Sequence, residues 1–478
     1  MRTHSKIFAK SFLLLILSIN FSAAVLAQEN MKVAVYGSQR AEIEKMLIQQ
    51  ENVTLIPDIE TEMQLINVYP QMKYQEILGF GGAITETSAY NFAQVSDDVK
   101  RKIAEAYFDK EKGLAINFCR THMHSSDFSL AQYNYVKEGD TELNSFAIDQ
   151  DRKYIIPMIK AAQAYADDLY LLASPWSPPG WMKDNNQMIF GGKLLPQHYD
   201  TWARYMTKYL QEYKKEGIEF FGVTVQNEAK AVQTWESCVY SATEEAIFAT
   251  NNLRPTLNKS GFNDIKIMIW DHNKERVLDR AIESFAVPGA KDAIWGVAFH
   301  WYSGEHFDAL RMTHEMFPDK PLFLTEFCRG GSSGPRADWT DVEAYVNEMI
   351  GDFNNYMAAS IDWNMIVDTD GGPYHDRSIG CKAQIIVDKD NNTFSLEPTY
   401  YAVGHFSKFI KRGAKRIGNS SYNDNLRVTS FQNPNGEVIV IVLNKAEQAF
   451  TPKLRIYDST AQLNIPAKSL MTLVVPAK

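Results

Sequence analysis

From about residue 76 to residue 366 one pattern recurs: a short apolar run, then a longer segment with apolar residues at three- and four-residue steps. The runs are "EILGFGG" (76–82), "GLAINFCRT" (113–121), "DLYLLASPW" (168–176), "FFGVTVQNE" (220–228), "KIMIWDHN" (266–273), "IWGVAFHWY" (294–302), "PLFLTEF" (321–327) and "AASIDWNM" (358–365). Stretches such as "YDTWARYMTKYLQEYKKEG" and "TDVEAYVNEMIGDFNNYM" between them carry amphipathic helical spacing. Continuously apolar strands need burial on both faces, which crossover helices on a parallel sheet supply. Eight such units predict an α/β chain closed into a (β/α)8 TIM barrel, with a doubly wound open sheet as the rival arrangement.

The flanks lack helical spacing. "MKVAVYG" and "VTLIPD" before the barrel, and "NLRVTSFQ", "GEVIVIVLNKA", "PKLRIYD" and "SLMTLVVP" after it, are short alternating runs broken by Asn, Gly and Pro, with "NPNGE" (433–437) as a hairpin turn. They predict an attached β-sandwich built from both termini. The expected division is strands of the sandwich in 28–75, the barrel in 76–403 and the rest of the sandwich in 404–478. "KRGAKR" (411–416) reads as a solvated charge run.

Arg2, Lys6 and Lys10 precede the apolar run "SFLLLILSINFSAAVLA", which ends on small residues at Val25 and Ala27. This is the build of a signal peptide over residues 1–27, so the mature chain is expected to be exported, periplasmic or extracellular. The run is short for a spanning helix, and no other segment is long and apolar enough to be one. Its removal takes three of the 49 Lys+Arg and none of the 58 Asp+Glu, leaving a net charge of −12. That field argues against nucleic acid or an anionic membrane as partner and suits a neutral substrate. Cys119, Cys238, Cys328 and Cys381 are too scattered for a zinc module and too few for a disulfide scaffold. They read as buried thiols, although an exported chain could pair some of them.

In a barrel of this kind the C-terminal strand ends line the working face. Read in order, they offer Glu86; Arg120 and His122; Trp176; Asn227 and Glu228; Asp271 and His272; His300 and Tyr302; Glu326; and Asp362, Trp363 and Asn364. Carboxylates, amides and indoles are the groups that hold a sugar by hydroxyl hydrogen bonds and stacking. Glu228 and Glu326 each close an otherwise apolar strand, the fourth and the seventh, and would face one another across the barrel mouth. Glycoside cleavage needs such a pair, one carboxylic acid and one carboxylate.

"GFGGAITE" (79–86), "RTHMHSSDFS" (120–129), "LLASPWSPPGWMK" (171–183), "TVQNE" (224–228), "QTWESC" (233–238), "FHWY" (299–302), "LTEFC" (324–328), "DWNM" (362–365), "GGP" (371–373) and "GHFSKFI" (404–410) together resemble glycoside hydrolase family 30. The resemblance implies a retaining β-glycosidase without metal or cofactor, acting on β-glucosides in the manner of glucosylceramidases or β-1,6-glucanases. β-Xylosides, β-fucosides and β-galactans are the alternative substrates. It implies Glu228 as acid/base, Glu326 as nucleophile and Asn227 as a ligand of the sugar 2-hydroxyl. Arg120, Trp176, His300, Tyr302 and Trp363 would stand around the sugar or the nucleophile, and Glu86 would reach a sugar hydroxyl. On this reading Glu228 should have a raised pKa while Glu326 stays ionised beside Arg120 or Tyr302. Ala229 after the acid/base, Glu86 in place of an Asp, and "YHDRSIGCK" after "GGP" depart from the family pattern and bear on the substrate.

Two other classes compete. His122 and His124, with Asp271 or His300, could bind zinc in a metal-dependent hydrolase. A catalytically silent, carbohydrate-binding barrel is the other. "GFGG" lacks the Lys-Ser/Thr of a phosphate loop and reads as tight turning at the barrel mouth.

Overall fold

The computed structural model describes residues 31–60, 63–330, 334–375 and 381–478; the expected signal peptide lies outside them. Eight strands close a parallel barrel: β1 (Gly79–Ala83), β2 (Phe118–Met123), β3 (Tyr170–Pro175), β4 (Gly222–Thr224), β5 (Lys266–Asn273), β6 (Gly296–His300), β7 (Leu322–Glu326) and β8 (Met357–Asn364), with β8 pairing back to β1. The barrel therefore replaces the open-sheet alternative. Phe118, Leu172, Met268, Ala298, Phe323, Ala359 and Ile361 fill its interior below the mouth. The helix Tyr199–Lys215 turns Trp202, Tyr205, Met206, Tyr209 and Tyr213 inward at helical spacing.

"GFGG" is β1 itself rather than a turn at the mouth, and a Cβ on Gly81 would fall 1.7 Å from the Phe118 carbonyl oxygen of β2. Only glycine admits that approach.

The flanking segments form one eleven-stranded sheet that folds over a single apolar core including Val33, Ile66, Val440, Leu454 and Leu473. The N-terminal strand Lys32–Gln39 lies antiparallel to the last one, Ser469–Val475. The expected hairpin joins Leu426–Gln432 to Val438–Asn444, closed by Asn433 N–H to the Glu437 carbonyl at 2.8 Å, with Gly436 at φ 90°. Helix Pro398–Ser407 crosses residue 403 and packs against the strand Ser469–Val475.

"KRGAKR" is not a solvated run throughout. Arg412 is half-buried beneath the barrel, where its guanidinium donates to the carbonyls of Leu78, Asn117 and Asp168 and lies 3.7 Å from the Tyr170 ring centroid. It ties the N-terminal ends of β1, β2 and β3 together at the face opposite the mouth.

Candidate active site

The site is organised around Arg120 on β2, whose side chain is fully buried. A buried guanidinium must spend its donors on protein acceptors, and it does. Nε donates to Ser174 Oγ at 3.0 Å; Nη1 to Glu326 Oε2 at 2.9 Å and the Thr325 carbonyl at 3.1 Å; Nη2 to Asn227 Oδ1 at 2.8 Å and Asp271 Oδ2 at 2.7 Å. One side chain thus fixes groups from β3, β5 and β7 and the segment after β4. Asp271 is further held by Thr224 Oγ1, Thr325 Oγ1 and His300 Nε2, so both its oxygens are satisfied.

Regular strand geometry ends just where the site begins. β4 stops at Thr224, yet Asn227 N–H still reaches the Pro175 carbonyl and Glu228 N–H the Asp271 carbonyl, each at 2.8 Å. Glu228 adopts φ 49°, left-handed backbone that is uncommon for a residue with a side chain. On β5 the register shifts between Trp270 and His272, and Trp270 and Asp271 have φ 75° and 46°. This bulge lets the neighbours Asp271 and His272 both serve the mouth, whereas strict alternation would send one of them outward.

Glu228 and Glu326 meet at one imidazole. His300 Nδ1 lies 3.5 Å from Glu228 Oε1 and 4.0 Å from Glu326 Oε1. His272 Nδ1 also approaches Glu228 Oε1, at 3.4 Å. Tyr302, from the segment after β6, donates its hydroxyl to Glu326 Oε1 at 2.9 Å.

Burial opposes ionisation of both carboxyls, with opposite outcomes. At Glu228 the imidazoles of His272 and His300, 3.4 and 3.5 Å away, outweigh burial and hold the carboxyl well below its usual range. At Glu326 burial prevails over His300 and Arg120, and the charges of Glu228 and Asp271 add to it, so its pKa is raised. The expected pattern, a raised Glu228 beside an ordinary Glu326, is thus reversed. Two histidines crowd Glu228, and the sequence does not show that β5 bulges to bring His272 there. Burial disfavours charged His300 too, but Glu326, Asp271 and Glu228 push its pKa up to about 9. Charge from the surrounding carboxylates thus favours a protonated imidazole 3.5 Å from Glu228.

Aromatic side chains wall the mouth. Trp176 and Trp363 stack on one another with centroids 5.2 Å apart and planes 27° from parallel, and the Arg120 guanidinium lies 4.9 and 5.8 Å from the two rings. Phe128, Trp235 and Tyr374 complete the cluster with Cys328 and Cys381, whose sulfurs are 2.9 Å apart as free thiols.

Arg120, Trp176, Asn227, Glu228, His300, Tyr302, Glu326 and Trp363 therefore come together, and Glu86 does not join them. At the start of helix Glu86–Ala93 its carboxylate is captured by Leu130 N–H at 3.0 Å and by the Gln150 side-chain amide. The longer side chain of Glu finds partners within the protein, which the sequence reading did not foresee. His122 and His124 do not form a metal site either. His122 accepts from Glu86 N–H at 2.8 Å and contacts the His124 carbonyl, while His124 bonds Tyr205 Oη at 2.7 Å and the Ser177 carbonyl. Every ring nitrogen of the pair is occupied by protein.

Asp127 was missed. Its Oδ1 is buried and without a partner among the described residues, and burial followed by the charges of Glu326, Glu236 and Glu228 raises its pKa strongly. It lies in a loop after β2, outside any strand-end pattern. Glu236 was likewise missed; it accepts from Ser125 Oγ and pairs with His375 at 3.3 Å.

The glycosyl hydrolase family 30 TIM-barrel domain matches residues 77–410, and the family's beta sandwich domain matches residues 413–473. The chain is 33% identical to putative glucosylceramidase 4 of Caenorhabditis elegans over 437 residues, 86% of this chain and 83% of that protein. The solved structure of SrfJ from Salmonella typhimurium superposes with a TM-score of 0.90 at 34% identity, covering 94% of this chain and all of that one. A solved endo-β1,6-glucanase gives a TM-score of 0.84 at 25% identity over 94% of this chain and 100% of its own. With both domains matched in order and the barrel closed as that family requires, the chain belongs to glycosyl hydrolase family 30 and is a glycosidase.

Proposed function

We propose that this glycosidase cleaves β-glucosidic bonds with retention of configuration, Glu326 attacking the anomeric carbon and Glu228 protonating the departing oxygen. The observation that carries the reading is the convergence of the two carboxyls on His300 Nδ1 from opposite sides of the mouth, at 3.5 and 4.0 Å. Arg120 and Tyr302 each donate to Glu326, which supports its ionised form and aims it. Glu228 gives a proton to the leaving group and as carboxylate then accepts one from the water that releases the glycosyl-enzyme, with the His300 imidazole 3.5 Å away. Asn227 Oδ1 is tethered by Arg120, which leaves its amide N–H groups for a sugar hydroxyl. Asp127 offers an unpartnered oxygen to another hydroxyl, and Trp176 and Trp363 offer an indole wall.

β-Glucosides are favoured because the relatives include a putative glucosylceramidase and an endo-β1,6-glucanase. The acidic chain and the leader-like N-terminus favour an exported enzyme working on an oligosaccharide or polysaccharide over one docked on an anionic membrane. No helix among the described residues is long and apolar enough to cross a membrane. The test is hydrolysis of β-glucoside, β-xyloside, β-fucoside and β-galactoside substrates and of β-1,6-linked glucose oligomers, with the first-formed anomer read by proton NMR. Retention with a preference for glucosides is expected; an inverted product, or turnover that survives Glu326→Gln, would overturn the reading.

A further inference from the structure

Among the described residues, one trio of ligand-type side chains could hold a metal ion, which the proposed hydrolysis does not use: Glu228, His272 and His300, with one donor atom each within 4.8 Å of the others. Two of the three edges of the donor triangle, from Glu228 Oε1 to His272 Nδ1 and to His300 Nδ1, are 3.4 and 3.5 Å. Bond lengths to zinc near 2.0–2.1 Å give a tetrahedron with edges of roughly 3.3–3.4 Å, so these two are already at coordination distance. The third edge, at most 4.8 Å, must shorten by up to about 1.5 Å to fit. Rotation of His272, whose side chain is 16% exposed, can supply that movement.

A second observation points the same way. Both Nδ1 atoms are buried and without a hydrogen-bond partner among the described residues, so an ion there competes only with a proton. His300 places Nε2 3.0 Å from Asp271 Oδ1, and a carboxylate behind the far ring nitrogen is the arrangement that orients metal-binding histidines with Nδ1 free. Glu326 and Asp271 add negative charge around the trio, with Arg120 as their fixed cationic partner.

We propose that Glu228, His272 and His300 form a site for a borderline divalent cation such as Zn2+, and that an ion held there stops turnover. Two imidazoles and one carboxylate leave a fourth position to water and discriminate against Mg2+ and Ca2+, which prefer oxygen donors. Binding stands on the three donors alone. The block rests on the reading of Glu228 as acid/base, because a carboxylate coordinated to the ion can neither deliver nor accept the proton.

The test is titration of the full chain with CoCl2 and with ZnCl2, following the visible ligand-field absorption of Co2+, calorimetric stoichiometry and β-glucoside hydrolysis in the same samples. The result expected is one ion per chain, the strong absorption of four-coordinate Co2+, loss of turnover in step with binding, and recovery on adding EDTA. His272→Asn on β5 and Glu228→Gln in the segment after β4 should each weaken Co2+ binding at least tenfold, so a folding failure of one leaves the other to decide. No uptake at millimolar metal, or uptake that neither variant weakens, would overturn the site. Uptake with turnover undiminished would overturn the block. A Glu228→Gln protein that keeps full turnover would refute the acid/base reading separately, whatever the ion does.

Discussion

Arg120→Met would remove the guanidinium from the centre of the mouth while keeping a side chain of comparable reach. Arg120 makes five hydrogen bonds between 2.7 and 3.1 Å, two of them ion pairs to the buried Asp271 and Glu326. Taking one partner from a buried ion pair leaves an uncompensated charge and costs about 3–5 kcal/mol. Asp271 keeps three other donors, so its share of the loss is cushioned. Among the described residues Glu326 keeps only Tyr302 as a hydrogen-bond donor and already has a raised pKa, so it should hold a proton in the variant at higher pH than in the parent. A nucleophile that is protonated and no longer aimed should reduce kcat/KM by about 10²–10³-fold, the scale of losing one charge-stabilising donor. The assay pairs urea unfolding by tryptophan fluorescence with kcat/KM on a chromogenic β-glucoside. A stability loss under about 1 kcal/mol together with activity within tenfold of the parent would refute the argument that Arg120 both braces the barrel mouth and ionises the nucleophile.

Three further outcomes follow from the same geometry. Because Glu326 must be ionised to attack and its pKa is raised, kcat/KM should fall as pH drops through that raised value; Tyr302→Phe deletes a 2.9 Å hydrogen bond to the carboxylate and should move the acid limb up by about one unit, whereas an unmoved limb would contradict the assignment. Trp363→Ala opens a cavity beside Trp176 and should cost about 3–5 kcal/mol of stability as well as raising KM, checked by thermal unfolding and saturation kinetics. EDTA alone should leave β-glucoside hydrolysis unchanged, since the proposed steps use only carboxyl groups, and loss of activity on chelation would instead point to a metal-dependent reaction.

What could be read from the sequence was whatever burial writes into a local pattern. Runs such as "PLFLTEF" announce a strand buried on both faces, and a Glu at the end of such a run can only be facing the mouth, which is why Glu228 and Glu326 are legible in the sequence. Polar strands escaped notice: Leu65–Glu76, a twelve-residue strand that pairs with Lys415–Ser421 and Lys453–Ile456, buries only Ile66 and Val68 fully and so carries little apolar alternation. His272 was visible as a strand-end residue, but its approach to Glu228 depends on the bulge at Trp270, which no periodicity encodes. Glu86 was misplaced because its partners, Leu130 N–H and Gln150, come from a loop and a helix far along the chain. Asp127 is legible only as an acid in a loop until folding leaves its Oδ1 buried beside the two carboxyls without a partner.

The two-carboxylate mechanism is tested most directly by incubating the protein with a 2-deoxy-2-fluoro-β-glucosyl fluoride, which forms the glycosyl-enzyme faster than water can release it, and sequencing the labelled peptide by mass spectrometry. The account predicts one fluoroglucosyl group on Glu326 within "PLFLTEF", with activity lost in proportion to labelling and no label in Glu326→Gln. Label on a different carboxylate, or rapid turnover of β-glucosides with retention and no labelling at Glu326, would contradict it.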